Sequence, residues 1–395
     1  MLKRIAASCA LVLVNTPVDA FEFSFKGMIK TEAVTSNQAV ASYGSVYSQV
    51  APTHALRTDI FGGAPATEQQ TNFLESESTS FQAAQTRFSL NMKHEKIRGV
   101  LELDFIDGED GFTNQTAIQA QEPRLRLATL YYDYSKNLTI FGGQKWTTAA
   151  GIKSSGSYNW IGNAYRAGNT GFLAMEVGAT YKADNLSITG ALTGKGRNAT
   201  AGGVNGNELG RMPGFAFDVN YKISGHTIGA AGHFANIKFE DEPNFTSGED
   251  QDANLFKVYT MLNFGDVSFN AEYYTGEALN NQNALGVAPA SRLSADGQVR
   301  DNFSESGFFS YVSWNISPEH NVKIGYASAS VDDSDRDRLG LTELQKNSTA
   351  YINYGYKIMT GLTAFAQVTH FDTEYGVDNE SFTAAVARAG VVFKF

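Results

Sequence analysis

The feature that most constrains this chain is a period of two in its apolar residues, repeated in segment after segment. In 215–222, Phe, Phe, Val and Tyr alternate with Ala, Asp, Asn and Lys, and 267–273 follows the same pattern. Successive side chains of a β-strand point to opposite faces, so each segment predicts a strand with one apolar and one polar face. The many Phe, Tyr and Gly residues and the few Pro residues also favour β-structure.

The segments are joined alternately by very short and by long, polar connections. The short ones are 94–96, 135–137, 183–185, 224–225, 265–266, 317–320 and 359–361. The long ones are 36–80, 106–122, 147–171, 195–211, 237–253, 276–306, 331–347 and 373–381. A soluble β-sandwich shares the alternation, but short turns at one rim and long loops at the other are typical of membrane barrels. We therefore predict an all-β fold, a transmembrane antiparallel up-and-down β-barrel of about sixteen strands.

The N-terminus reads as an export signal. Lys3 and Arg4 precede a short apolar run, and Val18-Asp19-Ala20 has the small–x–small pattern of a cleavage site. We predict a cleavable signal peptide at 1–20 and a single barrel domain at 21–395. An exported barrel of this kind is expected in the cell outer membrane of a Gram-negative bacterium, in contact with outer-membrane lipid and lipopolysaccharide.

The C-terminus is the most specific local signal. Residues 385–395 alternate and stop at an aromatic residue, with Phe393 and Phe395 on the apolar face. This ending resembles the insertion signal of outer-membrane proteins, which implies the barrel-assembly machinery as a partner during biogenesis. We also expect the first strand (21–34) to close on the last (382–395), because closure removes the unpaired edges that lipid penalises.

The polar faces of the predicted strands carry more cations than carboxylates. The cations expected to point inward are Lys26, Lys30, Arg87, Arg98, Arg124, Arg126, Lys145 and Lys257, and the inward carboxylates are Glu32, Glu102, Asp104, Glu176, Asp218 and Glu272. The pore-lining residues predicted for the constriction are Arg87, Arg124, Arg126, Lys145, Glu102 and Asp104. A surplus of positive charge in a narrow lumen favours anionic solutes. The alternative is that the arginines pair with Glu102 and Asp104 and only brace the wall.

The loop 147–171 follows the fifth predicted strand and has an unusual composition. It contains Lys153 and Arg166 but no carboxylate, and its aromatic residues give it a surface that could pack against the wall. We predict that it folds into the lumen and narrows it. The alternative is an ordinary surface loop, since connections normally run outside.

Other long loops are acidic, in a chain whose formal net charge is −10. The clusters fall within 107–110, 240–252 and 332–337. Carboxylate oxygens suit divalent cations of the kind that bridge lipopolysaccharide. The simpler interpretation is a solvated, mutually repelling set of loops.

Two adjoining motifs resemble a known family. Residues 124–128 (Arg-Leu-Arg-Leu-Ala) and 142–147 (Gly-Gly-Gln-Lys-Trp-Thr) look like the Gram-negative porins, particularly the DcaP-like trimeric group. In that group an Arg-Leu-Arg strand is followed by a Gly-Gln-x-Trp strand and then an inward loop. The resemblance implies a sixteen-stranded homotrimer with basic constriction residues and a preference for small anionic solutes.

Pattern and resemblance together favour a porin, a water-filled channel for passive diffusion of small hydrophilic solutes and ions, with a modest preference for anions. A structural or adhesive outer-membrane barrel without a significant open pore is the alternative, because such barrels share the alternation. The six histidines are not joined to a convincing Ser or Asp pattern. We therefore predict no enzymatic activity, and no cofactor, metal site or nucleic-acid partner.

Overall fold

A computed structural model describes most of the chain after residue 20. The described residues are 21–43, 46–50, 77–83, 85–105, 111–113, 123–152, 164, 166–171, 173–194, 212–238, 250–279, 286–288, 302–339, 343–376 and 380–395. The predicted signal peptide, 1–20, lies outside these residues, so it stays a prediction.

The described chain consists almost wholly of β-strands. In chain order they are β1 (Glu22–Ser36), β2 (Val40–Tyr43), β3 (Val46–Val50), β4 (Ser78–Gln82), β5 (Arg87–His94), β6 (Ile97–Asp104), β7 (Gly111–Thr113), β8 (Arg124–Asp133), β9 (Leu138–Trp146), β10 (Leu173–Ala183), β11 (Leu186–Thr193), β12 (Gly214–Ile223), β13 (His226–Lys238), β14 (Asp250–Phe264), β15 (Val267–Glu277), β16 (Ser304–Asn315), β17 (His320–Val331), β18 (Leu344–Met359), β19 (Leu362–Tyr375) and β20 (Glu380–Lys394). A 3-10 turn, Thr148–Ala150, and a short helix α1, Asp333–Arg336, lie between strands.

Seventeen of these strands form one antiparallel sheet that closes into a barrel. β4 and β5 both pair with β1 and are separated only by a short interruption, so together they make one wall strand. The wall therefore has sixteen strands, and the predicted fold class and strand number are confirmed. The remaining strands, β2, β3 and β7, form a separate small sheet.

The turns confirm the predicted asymmetry. Seven short turns join wall strands at the predicted positions, and the remaining connections fall where the sequence placed long loops. Several turns contain a residue with a left-handed backbone, among them Glu95, Asp184 and Ser224. Tight hairpin turns require such positive φ values, because they match the twist of the flanking strands.

The barrel closes between its first and last strands, as predicted, although the pairing runs over slightly different bounds. β1 pairs with β20 from Met28–Lys394 to Ser36–Val386. The terminal residue adds two backbone bonds, since Phe395 donates to Gly27 O (3.2 Å) and Gly27 donates to Phe395 O (3.0 Å). The first and last strands are therefore joined continuously from Gly27 to Ser36.

The outer surface of the wall is apolar and the inner surface is polar or covered. Phe215 is 47% exposed, whereas its neighbour Ala216 is fully buried and Asp218 points inward to a wall tyrosine. The exposed apolar side chains recur all around the barrel and include Phe25, Leu130, Val177, Ile228, Phe256, Trp314, Ile352 and Val391. This arrangement confirms the predicted period of two. In the described part of the chain, no helix is long and apolar enough to cross a membrane.

Candidate functional site: a charged wall facing an inward loop

Five of the six predicted constriction residues meet on three adjacent strands. Asp104 on β6 lies opposite Arg87 on β5 and opposite Arg124 on β8, so the three form a row across the inner wall. Arg124 donates two bonds to the Asp104 carboxylate, at 3.0 and 2.8 Å. Arg126 is bonded to Glu102, and its Nε lies 3.4 Å from Asp104 Oδ2. We call these five residues the arginine cluster.

A β-bulge turns both arginines of β8 into the lumen. Glu102 pairs with Leu127 and Leu103 pairs with Leu125, so Arg126 is an extra residue in the strand. A bulge shifts the phase of the alternation by one residue. As a result Leu125 is 45% exposed on the outside while Arg126 is buried inside.

A second charged network lies on the neighbouring strands β1 and β20. Glu32 accepts a bond from Lys30 Nζ at 2.8 Å and bonds from Arg388 Nε and Nη2 at 3.0 and 2.5 Å. Gln85 Oε1, from the interruption between β4 and β5, lies 3.4 Å from Lys30 Nζ. The sequence predicts inward positions for Lys30 and Glu32. It does not single out Arg388, although Arg388 lies on the polar face of the last predicted strand.

Lys145, the sixth predicted constriction residue, belongs to a different network. Its Nζ donates to Glu176 Oε2 at 2.8 Å and to Thr148 Oγ1 at 3.1 Å. Glu176 also accepts from Thr148 N at 2.7 Å and from Thr147 Oγ1 at 3.0 Å. The pair therefore anchors the start of the loop that follows β9.

That loop folds into the barrel, which confirms the prediction for its described residues. Lys257 Nζ, on β14, donates to Ala150 O at 3.1 Å and to Thr170 O at 2.7 Å. Glu272, on β15, accepts from Ile152 N at 2.8 Å. Both ends of the loop are thus bonded to the opposite wall. The aromatic residues of this loop, Tyr158, Trp160 and Tyr165, lie outside the described residues.

The loop packs against an apolar patch on the inner face of the far wall. Ile152, Ala164 and Ala167 form a buried cluster with wall side chains. The wall members of this cluster are Ala231, Tyr259, Phe309, Tyr311, Ala327 and Tyr351. Asn347 adds a side-chain bond to Arg166 O at 2.9 Å. The described loop residues therefore cover part of the inner face of strands β13 to β18, and the charged strands β1, β5, β6 and β8 lie across the barrel from them.

Two further segments also come inward, which the sequence did not reveal. Val50, at the end of β3, donates to Thr373 Oγ1 at 3.0 Å, and its carbonyl accepts from Tyr375 OH at 2.6 Å. Glu305 on β16 accepts from Val287 N at 3.1 Å and Ala288 N at 2.7 Å, inside the connection between β15 and β16. Both attachments are hydrogen bonds between residues distant along the chain, and no local pattern marks them.

A cavity of about 520 Å³ lies between the start of the inward loop and the wall. Its lining includes Leu127, Tyr131, Phe141, Lys145, Trp146, Thr148, Thr180, Asp218, Asn220, Lys222 and Tyr259. Asp218 accepts from Tyr259 OH and from Asn220 Nδ2, each at 2.7 Å. The cavity therefore has cationic, carboxylate, hydroxyl and aromatic groups on its surface.

The ion pairs of the inner wall decide only in part between a surplus of positive charge and a set of arginines that brace the wall. The arginines do pair with Glu102 and Asp104, as the bracing interpretation expected, yet on strands β1, β5, β6, β8 and β20 cations outnumber carboxylates. In the described residues of the arginine cluster and the Glu32 network, the cations are Arg87, Arg124, Arg126, Lys30 and Arg388, and the carboxylates are Glu32, Glu102 and Asp104. The pairs Lys145–Glu176 and Lys257–Glu272 are balanced.

In the one acidic cluster that the structure describes, 332–337, Asp333 and Asp335 make side-chain contacts. Asp335 accepts from Ser304 N at 2.7 Å and from Arg338 Nη2 at 2.5 Å. Asp333 is paired with Arg336 at 3.0 Å. The cluster at 107–110 and the residues 240–249 lie outside the described residues. Within the described chain, no group of three or more His, Cys, Asp or Glu side chains is placed to hold a metal ion.

Solved structures share this architecture over nearly the whole chain. The outer membrane channel DcaP of Acinetobacter baumannii is 14% identical and superposes with a TM-score of 0.71, over 95% of this chain and 98% of that one. This chain has the same fold as that channel. The trimer form of OmpT, an outer membrane protein of Vibrio cholerae, is 13% identical with a TM-score of 0.55, over 95% and 100% of the two chains. Salmonella typhi OmpF is 13% identical with a TM-score of 0.55, over 94% and 97%.

No protein-family model and no curated protein sequence matches the chain. The resemblance to the DcaP-like porins, which the motifs at 124–128 and 142–147 suggested, is therefore carried by the fold. Both motifs lie in the wall beside the arginine cluster: Arg124 and Arg126 belong to it, and Trp146 lies 5.3 Å from the guanidinium of Arg126.

Proposed function

We propose that this chain is an outer-membrane porin, a passive diffusion channel for small hydrophilic solutes and ions. The observation that carries the proposal is the closed sixteen-stranded barrel with an apolar outer surface and a charged, loop-narrowed interior. Every backbone group of a closed barrel is paired, which is what a lipid environment demands of a spanning structure. A charged interior that includes a cavity suits water and polar solutes.

The solutes that pass most readily are small anions, and the preference is modest. The excess of cations over carboxylates on strands β1, β5, β6, β8 and β20 gives that side of the lumen a positive field. Arg124 keeps 17% of its side chain exposed. A guanidinium group suits carboxylate or phosphate groups on a passing solute. Salt bridges within the cluster weaken the field, which limits the preference.

The assembly and location follow from the same proposal. The chain is exported, loses its signal peptide, and is inserted by the barrel-assembly machinery through a C-terminal signal that includes Phe393 and Phe395. It then lies in the outer membrane among lipid and lipopolysaccharide as a homotrimer. The trimer form of Vibrio cholerae OmpT supports this oligomeric state for the fold.

The test is electrical. Purified protein in a planar bilayer should show discrete conductance steps, and a salt gradient should give a reversal potential of the sign expected for anion preference. Arg126→Glu should move that potential towards cation preference, because it replaces a positive charge at the wall by a negative one. Lys93→Glu is the matched control, because Lys93 is exposed near a turn and pairs with Glu22. It should have a much smaller effect, since exposed charges are screened over about 8 Å at physiological ionic strength.

Two results would contradict the proposal. A purified, folded barrel without conductance would favour a structural or adhesive barrel. A conducting channel whose reversal potential is unchanged by Arg126→Glu would leave a non-selective pore and remove the arginine cluster from its assigned role.

A further inference from the structure

The bulge in β8 is held by a side chain from the neighbouring strand. Gln144 on β9 donates its Nε2 hydrogens to two backbone carbonyls, Leu125 O and Arg126 O, each at 2.9 Å. These carbonyls belong to the extra residue of the bulge and to the residue before it. A bulge disrupts the regular ladder where it occurs, so its polar backbone groups depend on partners outside the ladder.

Gly143 and Trp146, on the same strand as Gln144, also support the bulge. Gly143 has a φ of +131°, and a Cβ atom there would lie 2.0 Å from Ala128 O. Glycine therefore lets β9 approach the bulged strand closely enough for the amide of Gln144 to reach it. On the other side, the Trp146 ring lies 5.3 Å from the guanidinium of Arg126 and holds it by a cation–π contact.

The bulge decides which residues of β8 point inward, as the burial of residues beyond it shows. Beyond the bulge, Thr129 is buried and Leu130 is 60% exposed, so odd-numbered residues of β8 point inward. An uninterrupted alternation would place Arg124 and Arg126 on the outer face with Leu130. A slip of one residue reverses every side chain of a strand. The inward position of both arginines is therefore a consequence of the bulge.

We propose that Gln144 is a positioning residue for the selectivity of the pore: it stabilises the bulge that points Arg124 and Arg126 into the lumen. This inference rests on the proposed function, because selectivity is the property that the arginines are expected to set. It also gives a physical reason for the adjoining Arg-Leu-Arg and Gly-Gln-x-Trp motifs. The second motif supplies Gly143, the amide of Gln144 and the ring of Trp146, and these groups support the bulged strand of the first motif.

The decisive variant is Gln144→Met, which keeps the volume of the side chain and removes both donated bonds. We expect a folded barrel, judged by heat-modifiable migration, whose anion-to-cation permeability ratio falls about twofold or more, because the lumen charge is no longer fixed in place. The matched control is Asn353→Leu. Asn353 donates its amide to Ala366 O on an adjacent strand at 3.1 Å, in a stretch of wall without a bulge. Its replacement should leave the permeability ratio unchanged.

A second readout reports on position directly. In the mature chain, which is expected to have no native cysteine, Arg124→Cys should react with a membrane-impermeant, water-soluble thiosulfonate. Adding Gln144→Met should slow that reaction and speed the reaction with a lipid-soluble maleimide. Asn220→Cys, which lines the cavity, should react equally in both backgrounds.

The outcomes separate this inference from the function it rests on. If Arg126→Glu shifts the reversal potential while Gln144→Met changes neither the permeability ratio nor the labelling, the channel stands and the positioning role is wrong. If the wild type does not conduct, the proposed function fails, and the labelling of Arg124→Cys still decides whether Gln144 holds the bulge.

Discussion

Lys257 and Glu272 form an ion pair, Nζ to Oε1 at 2.9 Å, that is completely buried beneath the inward loop. The remaining bonds of both groups go to the loop backbone: Lys257 donates to Ala150 O and Thr170 O, and Glu272 accepts from Ile152 N. Hydrogen bonds to charged groups are stronger than neutral ones. This pair is therefore the main polar attachment of the described loop ends to the far wall.

Lys257→Met should release the loop. It leaves Glu272 as a buried charge without its ammonium partner, which costs about 3–5 kcal/mol when a buried pair is broken this way. The cost is avoided if the loop moves away and water reaches the carboxylate, so we expect a larger and noisier single-channel conductance. Single-channel recording in a planar bilayer measures this change.

The control for that variant is Lys346→Met. Lys346 pairs with Glu374 at 2.6 Å, but both side chains are partly exposed, 36% and 20%. Exposed pairs contribute about 0–1 kcal/mol, so conductance should stay at the wild-type value. Equal changes in conductance from the two substitutions would show that the Lys257–Glu272 pair does not fix the position of the loop.

Much of the fold could be predicted because two features, the alternation of apolar residues and the lengths of the connections, can be found in the sequence alone. Alternation identifies a strand, and the asymmetry of short turns and long loops identifies the kind of barrel. The bulge in β8 could not be found in this way. Nothing in Arg-Leu-Arg-Leu marks an extra residue, and its support comes from Gln144 on another strand.

Only part of the site could be predicted, because alternation marks the inward-facing charges but not the contacts between distant segments. The row Arg87–Asp104–Arg124 follows from inward-facing charges on strands two, three and four of the wall. The contacts of Lys257 and Glu305 join segments far apart in the chain, and a sequence without its register cannot show which groups meet. Lys145 is predicted as a constriction residue together with the arginines, and the sequence does not show that its carboxylate partner is Glu176.

Cysteine labelling should separate three environments in the wall. Asn220→Cys lines the cavity and should react with a water-soluble thiol reagent. Phe215→Cys lies on the apolar outer face and should be protected by lipid. Ala231→Cys points inward but lies under the loop, against Ile152, Ala164 and Ala167, so it should react only after Lys257→Met has released the loop. The alternation alone predicts that position 231 reacts as position 220 does. Rapid labelling at 231 in the otherwise unchanged barrel would contradict the buried position of the loop.

Phe395→Asp should impair barrel assembly without preventing export. The ring of Phe395 lies 5.8 Å from that of Phe25 and 6.2 Å from that of Phe88, on the outside of the closed wall. A carboxylate there loses these contacts and faces lipid, and it also alters the terminal insertion signal. The amount of heat-modifiable barrel in the outer-membrane fraction measures the effect. Phe395→Tyr, which keeps the ring, should assemble normally, and a normal yield from the Asp variant would remove the terminal residue from the signal.

Two consecutive glycines offer a comparison in which only position differs. A Cβ atom on Gly143 would lie 2.0 Å from Ala128 O at a φ of +131°, whereas one on Gly142 would meet only Val177 Cγ2, at an ordinary 3.7 Å. Gly143→Ala must therefore push β9 away from the bulged strand, and alanine at a positive φ destabilises by more than about 1 kcal/mol. We expect Gly143→Ala to lower the unfolding temperature and to reduce the anion preference, because Gln144 moves with the backbone. Gly142→Ala adds the same methyl group to the same strand and should change neither quantity. Similar effects from both alanines would mean that the close approach of β8 and β9 is not what places the arginines.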